Sequence, residues 1–452
     1  PVDIVSIEYT DKYDVLSQEL QFISSTGRAF SYTGGLYFYR QDATTNRDVV
    51  LGNDFVQYFI GPLYASGALS PPLPPAPALP NALVSQLIGF GPPLSKVFNR
   101  GEVNTTSYAA YFNGTWQMAE RWKLGFGVRW STEKKEVDWL LDGRNSGIFR
   151  IGSTGANPLS PSPLINDRTD NFFAPAASLT FALTETSNLY ARYASGYKSG
   201  GFNLDYINRD ELAANQGLEF DKETVDSFEL GLKGNYLGGR LSLNLAAFIA
   251  NYDDYQVNQF VDLGGGRTSI RINNAAKVET SGFEAETIFH VNDEFTLQAS
   301  LGLLKAEFDS FPGGGTGGAD VSGNELTNAP ELTYAAGATW RRPLPALRST
   351  LLLRGDVTYT GDFYTTADNA TTTPYNSAYP GAISFGKLGS HTEVNARIGL
   401  MSANDTWEVY AWGHNLTDET DPQDELRDFF GTIAKLPGMP RTYGVKLAWN
   451  FH

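Results

Sequence analysis

The sequence predicts an all-β protein, an antiparallel up-and-down transmembrane β-barrel with about 15 strands among its 452 residues. Three observations carry that prediction. Apolar and polar residues alternate along most segments, and short turns and long polar connections succeed one another along the chain. No run approaches the roughly 20 consecutive apolar residues that a membrane-crossing helix needs. The mean hydropathy of -0.27 agrees, because a barrel spreads its lipid-facing residues over every second position and so resembles a soluble chain on average.

The first clear strand runs from Tyr13 to Ser25 and enters a short turn at 26–28. After the next short turn, at 119–121, Trp122, Leu124, Phe126, Val128 and Trp130 alternate with Lys123, Gly125, Gly127, Arg129 and Ser131. Successive strand side chains point to opposite faces, so each set shares a surface. Beyond the turn at 185–187, Phe228, Leu230 and Leu232 face away from Glu229 and Lys233. Beyond 237–239, Leu241, Leu243, Leu245, Ala247 and Ile249 alternate with Ser242, Asn244, Ala246, Phe248 and Ala250. Further turns fall at 291–293, 343–347 and 403–405, and the chain closes on Tyr443, Val445, Leu447, Trp449 and Phe451 alternating with Gly444, Lys446, Ala448, Asn450 and His452. Most of these turns hold Gly, Asn, Asp, Ser or Pro, which supply positive φ, a preset φ or Asx-type hydrogen bonds.

Seven long connections separate the hairpins, at about 45–103, 139–169, 200–222, 255–268, 309–328, 364–390 and 418–440. Pro71, Pro72, Pro74, Pro75, Pro77 and Pro80 form a stretch that cannot donate ladder hydrogen bonds, and Gly313, Gly314, Gly315, Gly317 and Gly318 form a flexible one. Loops this long are functional or disordered in most domains, and in outer-membrane barrels they face outward. No composition shift divides the chain, so residues 1–452 are expected to form one barrel domain.

Seven hairpins and the segment Arg441 to His452 make 15 strands, an odd count where bacterial single-chain barrels have an even one. Either Val2 to Tyr9 forms a sixteenth strand, giving a passive diffusion porin, or an odd number of strands precedes Pro1. The second is preferred: the chain starts without Met and lacks a charged-then-apolar leader, yet must be exported. It is expected to be the C-terminal part of a longer protein.

Composition excludes several functions. Absence of Cys removes disulfides, thiolate metal sites and thiol nucleophiles, and a net charge of -16 argues against nucleic acid. Much of the acid lies in the connections, as in Asp205, Asp210, Glu211 and Glu219, or Asp418, Glu419, Asp421, Asp424 and Glu425, and suits a solvated outer face. His290, His391, His414 and His452 have no metal-ligand spacing, and neither H-E-x-x-H nor G-x-S-x-G occurs, so no metal site, permanently bound cofactor or enzymatic activity is expected. Lys198 in SGYKSGG lacks the preceding Gly of a phosphate loop and is expected at a strand end. Asp253 and Asp254, between Tyr252 and Tyr255, are expected on a solvated strand extension. Arg129, Arg192, Glu229, Lys233, Arg354, Asp356, Glu393 and Arg397 lie opposite apolar lipid-facing positions and are therefore expected to face the lumen, since Arg or Lys in midplane lipid costs roughly 2 to 4 kcal/mol. They would line a channel or contact a plug.

Six segments resemble the C-terminal barrel of TonB-dependent outer-membrane receptors: SQEL at Ser17 to Leu20, NLYARYASGYKSGGFN at Asn188 to Asn203, ETVDSFELG at Glu223 to Gly231, KVETSGFEAE at Lys277 to Glu286, HNLTD at His414 to Asp418, and PRTYGVKLAWNF at Pro440 to Phe451. Their order and spacing extend across nearly the whole chain. The resemblance implies a barrel of 22 strands, plugged by an N-terminal domain preceded by a box that binds the TonB complex. It implies active import across the Gram-negative outer membrane of an extracellular small-molecule ligand too large for porins, most often a ferric siderophore. The final strand also resembles the signal read by the outer-membrane assembly machinery, carried here by Tyr443, Gly444, Trp449 and Phe451. Lipid and lipopolysaccharide are the partners expected for the outer face.

Overall fold

The computed structural model describes residues 3, 5–25, 27, 29–54, 96–142, 164–204, 218–264, 267–315, 318–376, 379–404, 406–427 and 433–450. They form one 15-stranded antiparallel sheet in which each strand pairs with its neighbour in sequence. The strands are β1 (Val5–Ile23), β2 (Phe30–Leu51), β3 (Lys96–Ala119), β4 (Trp122–Asp142), β5 (Leu164–Thr184), β6 (Ser187–Lys198), β7 (Glu223–Tyr236) and β8 (Leu241–Gly264). They continue as β9 (Arg267–His290), β10 (Phe295–Ser310), β11 (Leu332–Leu344), β12 (Ser349–Thr360), β13 (His391–Ser402), β14 (Trp407–His414) and β15 (Thr442–Trp449). β1 and β15 are the two edges.

Register follows from the alternation, because slipping a strand by one residue would turn its whole apolar set to the wrong face. One row of directly opposed residues runs Asn188–Lys233–Asn244–Glu286–Ser300–Ala335–Thr358–Glu393 across eight strands. It is polar apart from Ala335. Positions one residue off this row carry Leu232, Leu245, Leu301 and Tyr334, and the opposite face leaves Phe228, Leu230, Ile398, Val445 and Leu447 more than half exposed. A sheet face with that much bare apolar surface requires a non-aqueous neighbour.

Several sequence expectations need correction. Val5 to Tyr9 continues β1, a single 19-residue strand, so the separate sixteenth strand on which the porin alternative rests is not formed. The connection expected at 255–268 is mostly ladder: β8 and β9 pair as far as Gly264 and Arg267. Strands here reach 24 residues, about twice the 9–11 that cross a bilayer, so their outer halves stand clear of it. Small strand pairs recur in the other connections, such as Phe363–Tyr364 with Lys387–Leu388 and Pro422–Arg427 with Ile433–Pro437. Most of 45–103 and 139–169, with the Pro cluster, lies outside the described residues.

The short turns have the chemistry their residues imply. Leu237, Gly238 and Gly239 all take positive φ, and Pro345–Leu347 forms a single 3-10 turn capped by Arg348 at φ 48°.

Candidate functional site: a charged inner face and its braced rim

Ladder register places all eight charged positions singled out above on one face of the sheet, opposite the exposed apolar one. It brings them together in groups. Arg192 lies directly opposite Glu229, whose carboxylate accepts a 2.5 Å hydrogen bond from the Tyr190 hydroxyl; Lys233 sits 5.3 Å from the same tyrosine ring. Gly231 leaves room for that ring, since a Cβ there would stand 2.4 Å from Tyr190 and push it aside. Arg354 pairs with Asp356 at 3.2 Å, and Asp356 also accepts from Asn395. Arg397, directly opposite Arg354, stacks its guanidinium 4.0 Å from the Tyr410 ring centroid, and its buried Nε has no hydrogen-bond partner. Arg129 donates to Ser131 and lies over Tyr37. Glu393 stands apart and accepts a 3.4 Å bond from Gln423 in the last connection. Lys198 closes β6 opposite Glu223, a strand end as expected.

Above this wall, residues with no distinctive sequence signal brace the long connections. Lys135 and Arg168 are opposed across β4 and β5, and so are Glu133 and Asp170. Each cation is neutralised within its own strand, Lys135 by Glu133 at 3.1 Å and Arg168 by Asp170 at 2.9 Å. Arg168 and Asp170 are almost fully buried, and burial of such a pair is tolerable only because its remaining polar atoms are bonded. Arg168 donates to the Phe220 carbonyl, Asp170 accepts from the Gly200 amide, and Lys135 donates to the Gly200 carbonyl. Gln256 of β8 donates to the Ser199 and Asp221 carbonyls, while Asn203 bonds both backbone groups of Ile272 in β9. The two ends of the 200–222 connection are thus fastened to β5, β8 and β9.

A second brace is apolar. Tyr252, Val278 and Phe308 oppose one another on the charged face of β8, β9 and β10. Residues 311–315 and 318–326 fold back over them, so that Phe308, Phe311 and Val321 lose nearly all contact with water. From there, bonds between Glu325 and Asn369 reach the next connection, which in turn meets the last one at Glu425. The Glu425 carboxylate is wholly buried, accepts from the Gly386 amide and the Thr365 hydroxyl, and has Lys435 Nζ 3.2 Å from its other oxygen as counter-charge.

Tyr252 and Tyr255 serve this core, ring edge to ring face at 5.4 Å. Asp254, between them, takes a left-handed φ of 55° just beyond the row where β7 ends. Burial and then the Asp221 and Asp253 charges hold its carboxyl above the usual range. A raised folded-state value means this group contributes stability below about pH 4 that is lost as pH rises through the raised value. Asp254→Asn is therefore expected to stabilise the β8–β9 hairpin slightly at pH 7, solvent screening keeping the effect small. Comparing thermal midpoints of the two proteins checks it: the difference should vanish near pH 3.

At the far edge Tyr443 and Trp449 project from the apolar face of β15, 80% and 64% exposed, while Gly444 faces inward beneath Trp412; Phe451 lies outside the described residues.

Comparison with known proteins agrees with this architecture. The chain resembles the crystal structure of the ferric yersiniabactin uptake receptor FyuA from Yersinia pestis over its whole length, with a TM-score of 0.71 and 17% identity, and spans 56% of that chain. The siderophore receptor PiuA from Acinetobacter baumannii matches over 97% of this chain and 56% of its own, with a TM-score of 0.62 and 15% identity. In sequence, the pesticin receptor of Yersinia pestis is 24% identical over 217 residues, 48% of this chain and 28% of the receptor. The chain therefore spans little more than half of these solved receptors, and its sequence match covers less than a third of the pesticin receptor. The model of the TonB dependent receptor-like β-barrel matches residues 5–416. Taken with the 15-stranded sheet, its charged and apolar faces and its braced connections, that match assigns the chain to the TonB-dependent receptor β-barrel family of the Gram-negative outer membrane.

Proposed function

We propose that the chain is the barrel part of a receptor that imports a ferric siderophore or a similar chelate, driven by the TonB complex through a plug inside the barrel. The carrying observation is the charged face itself: guanidinium, ammonium and carboxylate groups line one wall beneath connections tied to one another, in a family whose relatives include ferric-chelate receptors. Arg129, Arg192, Glu229, Lys233, Arg354, Asp356, Glu393 and Arg397 would face the lumen and meet the plug through ion pairs and water. The chelate would bind from outside, against the braced connections, as cargo. Tyr443, Gly444, Trp449 and Phe451 would present the edge strand to the assembly machinery.

The test is uptake of labelled ferric chelates by a receptor-deletion strain carrying the full-length gene, with and without a working TonB. Saturable uptake of one chelate, lost when TonB is inactivated, is expected. Uptake that rises linearly with concentration and ignores TonB would instead establish passive diffusion.

A further inference from the structure

Four cations share the charged face on the short-turn half of β11 to β15. Arg341, Leu352, Gly399, Tyr410 and Lys446 form one row of directly opposed residues, and Thr339, Arg354, Arg397 and Trp412 form the row above it. Two of the cations are neutralised on the wall itself, Arg354 by Asp356 at 3.2 Å and Lys446 by Glu408 at 3.1 Å. Arg341 and Arg397 are not: among the described residues neither has a carboxylate within ion-pair distance. The Arg341 amide donates to the Glu294 carbonyl, but the Glu294 carboxylate turns to Trp340 and Arg342 on the other face. Glu393, two rows above Arg397, accepts from Gln423, and Glu286 on β9 stands three strand spacings, about 14 Å, from Arg354.

This arrangement is costly without an anion. Arg354 and Arg397 are directly opposed, and like charges in that position repel. Arg397 lies over the Tyr410 ring, 4.0 Å from its centroid, and its buried Nε–H has no acceptor. Lys446 stands 5.5 Å from the same ring, so one aromatic face already serves two cations. Leu352, between the rows' cations and 3% exposed, gives the wall an apolar floor. Surplus positive charge above such a floor concentrates a field that draws anions.

We infer that Arg341 and Arg397 form an oxyanion site on the lumen wall, taking one carboxylate group between them. Their backbones are separated by two strand spacings, about 10 Å, and by one row, about 7 Å, a gap that two guanidiniums reaching toward each other span. A guanidinium holds a carboxylate through paired N–H donors, which an ammonium cannot do. Such a carboxylate has two sources, the cargo as it passes the wall or a side chain of a segment packed in the lumen. The site rests on the reading of this face as the lumen wall and adds to it which cations await an anion.

The experiment treats the full-length protein in mild detergent with phenylglyoxal, which modifies free guanidiniums, and reads each arginine by peptide mass spectrometry. The reaction runs in chloride and in malonate of equal ionic strength, with Arg348, exposed at its short turn, as the control. Malonate should slow modification of Arg341 and Arg397 about fivefold or more and leave Arg348 unchanged, which assigns the site to a free anion. If both arginines resist the reagent in either salt, a lumen-packed segment is the source, and Arg397→Lys treated with a carbodiimide should couple its ammonium to a carboxylate outside residues 1–452. Equal reactivity in the two salts overturns the site. Coupling to Asp356 or Glu408, or resistance with no coupling, overturns it as well, because the wall would then satisfy its own cations. None of these readouts involves uptake, so the import reading stands or falls by its own test.

Discussion

Phe308→Ala should loosen the outer ends of β8 to β10 by about 3–5 kcal/mol, the cost of emptying an aromatic site that cannot collapse. Phe308 has no exposed surface and its ring lies 5.2 Å from that of Phe311, tilted by 43°, with Ala275, Val278 and Val321 completing the cluster. The cluster holds 311–315 and 318–326 over the charged face, so its loss should open locally while the membrane-spanning ladder persists. Amide exchange read on residues 306–326 of the full-length protein measures this, with the amides of 241–249 as internal reference. Unchanged protection at 306–326 would show that the backbone bonds from Gly323 to Phe308 and from Leu326 to Ala306 hold the fold-back without the aromatic core.

Arg168→Met carries a comparable penalty through a different cause. It leaves the Asp170 carboxylate buried without its cation, a loss of about 3–5 kcal/mol where a buried pair is broken on one side. The bond to the Phe220 carbonyl goes with it, so one of the ties on the 218–223 backbone is cut. Protease cleavage and amide exchange at 199–204 and 218–223 should rise at least a hundredfold, and Arg168→Met combined with Asp170→Leu should recover part of the loss, because no uncompensated charge then remains. If the double variant were as loose as the single one, the role of Arg168 would lie in its bond to Phe220 rather than in charge balance.

The faces of the barrel were legible before the structure. A period of two is a local property of sequence, and Arg129, Glu229, Lys233 and Arg397 share the face opposite their apolar neighbours. The short turns were legible for the same reason, since Gly238 and Gly239 adopt the positive φ that marks a hairpin. The bracing was not. Arg168 stood within the segment expected as a connection, at 139–169, yet belongs to β5, which begins at Leu164. Glu425 looked like one solvated acid among several between 418 and 425, but Gly386, Thr365 and Lys435 remove it from water. Strands that outrun the bilayer show no break in composition where lipid ends and water begins.

By itself the sequence determined which residues share a face, how many strands alternate, and which family the chain resembles, because each depends on spacing along one segment or on quoted motifs. Only the tertiary structure decided which charges neutralise one another, how the connections lock to their neighbours, and that Ala338, Gly355, Ala396 and Gly413 line up in one row across β11 to β14. Those outcomes depend on register between strands separated by up to dozens of residues. Register is set jointly by every turn and every face, so no single segment contains it.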